Sequence, residues 1–308
     1  MNIEFQSSAG SGGSSDRTLK VLTLATLIAT YLLIVLGSTV RVTESGMGCK
    51  GWPLCSGQIG PIDNFHAIME QSHRYLATIV TILICAVAVV VWRAGRDAYY
   101  LRSMAATGVG VIVLQIILGA ITVFTNNAPA TVALHLIVGL LFLAIVTMTA
   151  VRAFLGREAE WEPFGDGARL AFWALGSIFL VLISGSLVVD GGAEKACPSW
   201  PVCLGSHAQG GLIDLQLVHR AIVLIGTILV LYYLWRVLHS NTAVASQRSL
   251  SVIAVTLLII QIGAGAVVAI TKAPEALADI HLALAAALWS VLVATVAVGS
   301  VKVRSLSR

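Results

Sequence analysis

His73, His135, His219 and His281 fall inside strongly apolar stretches, and their spacing repeats: 62 residues separate the first two and 62 separate the second two. Ionisable side chains within membrane helices are expensive and rare, so each of these is a candidate for function. Two imidazoles facing each other from separate helices can ligate one haem iron from both sides, and helix bundles commonly build cofactor sites this way. The plain alternative is four histidines hydrogen-bonded across helices. Because all four sit in a duplicated frame, two haem sites are the better reading.

The two frames differ at one chemically important place. Glu70 stands three residues before His73, whereas Gln216 stands three before His219. His66 precedes Glu70 by four residues, and its counterpart is Leu212. If the helix extends that far, His66, Glu70 and His73 share a face. A carboxylate beside only one of two related cofactor sites points to chemistry in the first half and a permanent cofactor in the second. The competing reading is a solvated glutamate at a helix mouth.

Two cysteine pairs frame Trp-Pro in CKGWPLC and CPSWPVC. On an oxidising side these read as the disulfides Cys49–Cys55 and Cys197–Cys203, serving either as staples or in electron exchange. A four-thiolate zinc site is the weaker alternative, since each pair has its partner within its own repeat. Cys85 reads as packing. Gln115 with Gly119, and Gln261 with Gly265, lie one turn apart. The glycines suit close approach of a flat macrocycle and the glutamines donation to a propionate or an axial imidazole; ordinary small-residue helix packing is the alternative. Arg41, Arg74, Arg220 and Lys272 lie at the same end of the spans. They read as partners for propionates or as cations reaching lipid headgroups.

Such residues need a membrane-embedded helical frame, and the composition demands one. Of 308 residues, 57% are hydrophobic and 11% charged, against about a quarter charged in soluble domains. That shortage excludes a water-soluble globule. The net charge of +4 comes from Lys and Arg that form no dense run, which argues against nucleic-acid binding. Eight apolar runs of bilayer length lie near 20–40, 70–92, 103–124, 131–152, 168–189, 215–236, 250–271 and 277–301. With the N-terminus inside, thirteen basic residues face the cytoplasm and six the outside, so both termini are expected inside and the cysteine loops outside.

The repeat orders the whole chain. The cysteine motifs are offset by 148 residues, and His73-Arg74, Gln115, Gly119 and His135 recur at an offset of 146. Each half contains four spans, so both enter the membrane the same way round, a parallel repeat. The expected fold is an all-α integral membrane protein of eight transmembrane helices in two tandem, pseudo-symmetric four-helix bundles. Residues 1–16 are expected to form a disordered cytoplasmic tail, 17–156 the first half, 157–167 a cytoplasmic linker and 168–308 the second half.

GSTVRVTESGMGCKGWPLC, the EQSHR segment, CPSWPVC and the four paired histidines together resemble the haem A synthase family over about residues 30–290. The resemblance implies an oxidoreductase that converts a methyl group of haem O to the formyl group of haem A for cytochrome oxidase biogenesis. Water is the implied oxygen source. It further implies haem b on His219 and His281, substrate haem O on His73 and His135, and Glu70 as the catalytic carboxylate. A haem O synthase is the implied donor, and the electron acceptor is unknown. The family's first loop typically reads Cys-Pro-Asp-Trp-Pro, where this chain has Lys50 and Gly51. The runner-up is a bis-histidine haem b electron-transfer protein. Such a carrier normally sets one haem near each membrane face, whereas all four histidines here lie near one face. A transporter would need a polar path at mid-membrane, where this chain has mostly Leu, Ile, Val and Ala.

Overall fold

The computed structural model describes residues 12–57, 59, 64–93, 99–156, 159–161, 167–204 and 210–303. The helices are α1 (Gly12–Val42), α2 (Phe65–Arg93), α3 (Tyr99–Phe124), α4 (Pro129–Leu155), α5 (Ala168–Asp190), α6 (Gly210–Leu238), α7 (Ala245–Ile270) and α8 (Glu275–Gly299). Each contains a segment long and apolar enough to cross a bilayer, with mean hydropathy between 2.1 and 2.6. A helix satisfies its own backbone polar groups, which hydrocarbon cannot do. A single-turn 3-10 helix, Ser45–Met47, follows α1.

Several helices begin earlier than the apolar runs suggest, α7 by five residues and α3 by four. α1 starts at Gly12, so residues 12–16 of the expected tail are helical, while residues 1–11 lie outside the described residues. α2 and α6 each start five residues ahead of the apolar run. Hydropathy registers the part of a helix in lipid and misses polar turns that continue past the interface. Within the expected linker, Ala159–Trp161 pairs antiparallel with Val301–Val303. This is the one departure from an all-helical fold among the described residues. Arg157 and residues 162–166 lie outside them.

In the first half α1 packs on α2 and α4, α2 on α3, and α3 on α4; in the second α5 packs on α6 and α8, α6 on α7, and α7 on α8. The repeat extends to individual turns. Asn126-Asn127 between α3 and α4, and Lys272-Ala273 between α7 and α8, all take left-handed backbone. In both turns the second residue's N–H reaches back five residues at 2.8 Å, to the carbonyls of Thr122 and Val268. Lys272 is therefore an exposed turn residue. Pro129 and Pro274 stand at the starts of α4 and α8, where a missing N–H costs nothing.

The halves meet where α8 lies against α1 and α4, and α4 against α5. Leu140 and Leu143 of α4 join Trp289, Leu292 and Val293 of α8 in one buried cluster. The Trp289 indole donates to the Leu140 carbonyl at 2.9 Å. At the cysteine-loop end Arg41 of α1 is ion-paired with Asp190 of α5, and the Ser186 hydroxyl donates to the same carboxylate at 2.8 Å. The Asp190 side chain is 7% exposed, so loss of its cation strands a largely buried charge. Arg41→Ala is expected to cost about 3 kcal/mol of stability. The check is thermal unfolding in detergent, where the paired replacement R41M/D190L should recover most of the loss.

Candidate functional site

The four histidines occupy equivalent places. His73 lies on α2, His135 on α4, His219 on α6 and His281 on α8. His73 and His135 are close enough to act on one another electrostatically, as are His219 and His281. Each bundle thus brings together the two rings that the 62-residue spacing pairs.

Every ring is backed by a glycine of a neighbouring helix. A Cβ placed on Gly37 would stand 3.0 Å from His73 Cε1, and one on Gly185 3.2 Å from His219 Cε1. The corresponding distances are 3.4 Å from Gly119 to His135 and 2.9 Å from Gly265 to His281. The glycines at 119 and 265 accommodate the imidazole itself, where the sequence suggested room for a macrocycle. Gly37 and Gly185 escaped the sequence reading, although their offset of 148 matches that of the cysteine motifs.

The polar surroundings of the rings differ between halves. The Ser184 hydroxyl lies 2.8 Å from His219 Nδ1, and Gln261 Nε2 lies 3.3 Å from His281 Nε2. In the first half Leu36 occupies the place matching Ser184. There Gln115 donates to the His135 backbone carbonyl at 2.9 Å and leaves the ring alone. The Leu33 carbonyl lies beside the His73 ring. Among the described residues, Nδ1 of His73, His135 and His281 and Oε1 of Gln115 and Gln261 are buried without a hydrogen-bond partner. None of the four rings is paired with a carboxylate among the described residues. Two imidazoles per bundle, with Nδ1 of His73, His135 and His281 free of hydrogen bonds among the described residues, are a donor set that fits a haem iron.

Both cysteine pairs are disulfide-bonded, Cys49–Cys55 and Cys197–Cys203. Cys85 is a free thiol on α2. Each loop is clasped by the arginine that follows a site histidine. Arg74 donates to the carbonyls of Gly51 and Pro53, both at 3.0 Å. Arg220 donates to the matching carbonyls of Ser199 and Pro201 and to Cys197. Among the described residues, these loop carbonyls, and Asp190 and the Ser186 carbonyl in the case of Arg41, are partners of the cations that the sequence offers to propionates or lipid headgroups.

α2 reaches outward to Phe65, so His66, Glu70 and His73 do lie on one continuous helix. Glu70 is 5% exposed. Its carboxylate accepts the Cys49 backbone N–H at 2.8 Å and is ion-paired with Arg74. It is therefore a buried, doubly held group beneath the first loop and not a solvated one. In the second half Gln216 instead donates to the Ala193 carbonyl at 2.8 Å. The two side chains support their loops with opposite polarity, and only the first half gains a carboxylate.

These elements define a class: a polytopic membrane protein built as a parallel duplication, with a pair of imidazoles and a clasped disulfide loop in each half. The chain belongs to the cytochrome oxidase assembly protein family, whose profile matches residues 20–293. It is similar to the haem A synthase of Bacillus licheniformis, with 27% identity over 90% of this chain and 94% of that one. The haem A synthase of Alkalihalophilus pseudofirmus is 28% identical over 90% of this chain and 95% of its own. That of Shouchella clausii is 30% identical over 71% and 76%.

Proposed function

We propose that this chain is a haem A synthase, an oxidoreductase that converts a methyl group of haem O to the formyl group of haem A for cytochrome oxidase assembly. The carrying observation is an asymmetry within a duplicated site: the buried carboxylate of Glu70, three residues before His73 and held by Arg74 and the Cys49 N–H, is replaced by the amide of Gln216 three residues before His219. Family membership and the names of the relatives support the same reading.

The first half receives haem O at His73 and His135, and the second holds haem b at His219 and His281. Hydrogen-bond partners on ligating histidines fix ring orientation and strengthen binding. Ser184 provides such a neighbour for His219 in the second half, as suits a resident cofactor. In the first half no side chain takes that place at either ring, and only the Leu33 carbonyl lies beside His73, as suits a substrate that must leave as product. When bound, haem b supplies a one-electron acceptor. The reaction requires R–CH3 + H2O → R–CHO + 4 H+ + 4 e−, in two oxidations through an alcohol. Glu70 takes a proton as water adds to the oxidised methyl carbon, and Arg74 and the Cys49 N–H hold its carboxylate in place. The arginine clasps keep each disulfide loop over the end of its bundle, limiting the water that reaches the site.

The cysteine loops face the outside and both termini the cytoplasm, as the basic residues indicate. Haem O then comes from a haem O synthase in the same membrane, and electrons leave the second half for a separate acceptor. Gly265 offers a local test of the second site. Gly265→Ala, whose Cβ would press on the His281 ring, is expected to weaken haem b retention about tenfold or more. Gly119→Ala should be tolerated, because its Cβ meets His135 at ordinary contact distance. Haem content per purified chain checks both.

A further inference from the structure

The first half carries a second polar feature that the second half lacks, and it does not touch the histidine pair. Ser45, fully buried, lies with its hydroxyl 2.8 Å from His66 Nδ1 and 2.7 Å from the Thr43 hydroxyl. His66 itself is exposed at the start of α2. In the second half the matching positions are Gly191, Ala193 and Leu212. Ala193 is buried there in an apolar cluster, with Leu212 packed against it. Three polar residues are thus exchanged for apolar ones in the same half that exchanges Glu70 for Gln216. Packing alone gives no reason for that concerted difference, because the apolar set fills the equivalent place.

The segment that carries Ser45 also reaches Glu70. The 3-10 turn Ser45–Met47 packs on α2. Gly48 is so close to the His66 carbonyl that no side chain fits, and Cys49 donates its N–H to Glu70. His66 and Glu70 are four residues apart, one above the other on the helix. Among the described residues, the charged groups on the elements packed here are Arg41, Glu44, Lys50, Glu70 and Arg74.

We propose that His66, with Ser45 and Thr43 behind it, is a proton exchange port between external water and the Glu70 carboxylate. The inference rests on the role given to Glu70 above. Each conversion of methyl to formyl releases four protons, while its four electrons would leave by way of the acceptor that His219 and His281 would hold. A proton held on Glu70 passes through bridging water to the Ser45 hydroxyl, which hands a proton to Nδ1 of the imidazole, and the ring releases one to external water from its other nitrogen. The buried Ser45 hydroxyl holds the ring in register and, with Thr43, accommodates either state of Nδ1. His66 acts through Glu70 and is a positioning and relay residue, not a group that touches substrate. The second half only passes electrons and has no proton to export, which accounts for its apolar version of the port.

The test uses the full chain in membranes supplied with haem O. His66→Gln is expected to slow haem A formation about 10- to 100-fold with an unchanged haem spectrum. Imidazole added to the medium should restore most of the loss, because the lost side chain is exposed. Ser45→Ala, copying the second half, should also slow conversion. A wild-type rate in either variant, or a slow H66Q that imidazole does not rescue, overturns the port. Glu70→Gln run in parallel separates the two ideas: a wild-type rate there overturns the role of Glu70 itself, whereas loss in E70Q beside a normal H66Q overturns only the port.

Discussion

Replacing Glu70 by glutamine is expected to abolish haem A formation while leaving haem binding intact. The substitution keeps the length of the side chain and installs the residue that the second half carries at Gln216. The fold tolerates that residue at the equivalent place, so loss of activity cannot be assigned to a destroyed helix. A positioned general base contributes about 10²–10⁴ in rate, and the E70Q defect should fall in or beyond that range. The glutamine amide also cannot accept a proton, nor answer Arg74 with a charge. Chromatography of extracted haems gives the rate, and absorbance of the purified chain gives the binding. Haem A output from E70Q equal to wild type would refute the assignment.

The second large effect is expected at the other pair. His219→Ala or His281→Ala should erase the haem b absorbance, because a bis-histidine site loses half of its protein ligands. Haem A formation should stop as well, since electrons then have no resident acceptor. Ser184→Ala should give a graded version, roughly a 10- to 100-fold loss of haem affinity, as expected when the hydrogen-bond partner of a ligating histidine is removed. His73→Ala should spare the haem b signal while preventing conversion. An unchanged spectrum in both H219A and H281A would remove haem b from the second half.

Much of this arrangement is legible from residue types and spacing. The eight spans follow from hydropathy, and the parallel duplication from offsets of 146 and 148 held across three helices and a loop. The cysteine pairing follows from two short, separate loops. Other features are set by contacts between segments far apart in the chain and leave little local trace. Gly37 and Gly185 look like ordinary helix glycines until the fold puts His73 and His219 against them. Arg74 and Arg220 read as partners of propionates or lipid headgroups, and the carbonyls that the loops curl back to place on them leave no trace in the sequence. The Arg41–Asp190 pair joins the two halves and has no counterpart in the repeat, so the offset could not reveal it. The early starts of helices such as α1, α2 and α7 escape a hydropathy criterion because their first turns carry polar residues. For α2 that turn matters most, since it carries His66 and brings Ser45 into reach.

The difference between halves carries the functional argument. A duplicated bundle supplies its own control: positions alike in both halves serve what both do, and positions that differ serve what only one does. The glycine-backed histidines, arginine clasps and disulfide loops are common to both and suit holding a haem at one end of the bundle. Glu70, Ser45 and His66 belong to the first half alone and suit proton chemistry. Ser184 belongs to the second alone and suits a cofactor that stays.

The most direct measurement is to express the chain with a haem O synthase in a host that makes no haem A of its own, extract the pigments and separate them by chromatography. Haem A, or its hydroxylated precursor, in the extract is the predicted result. An extract holding haem O and haem b but neither product would contradict the central claim and favour a haem b electron carrier.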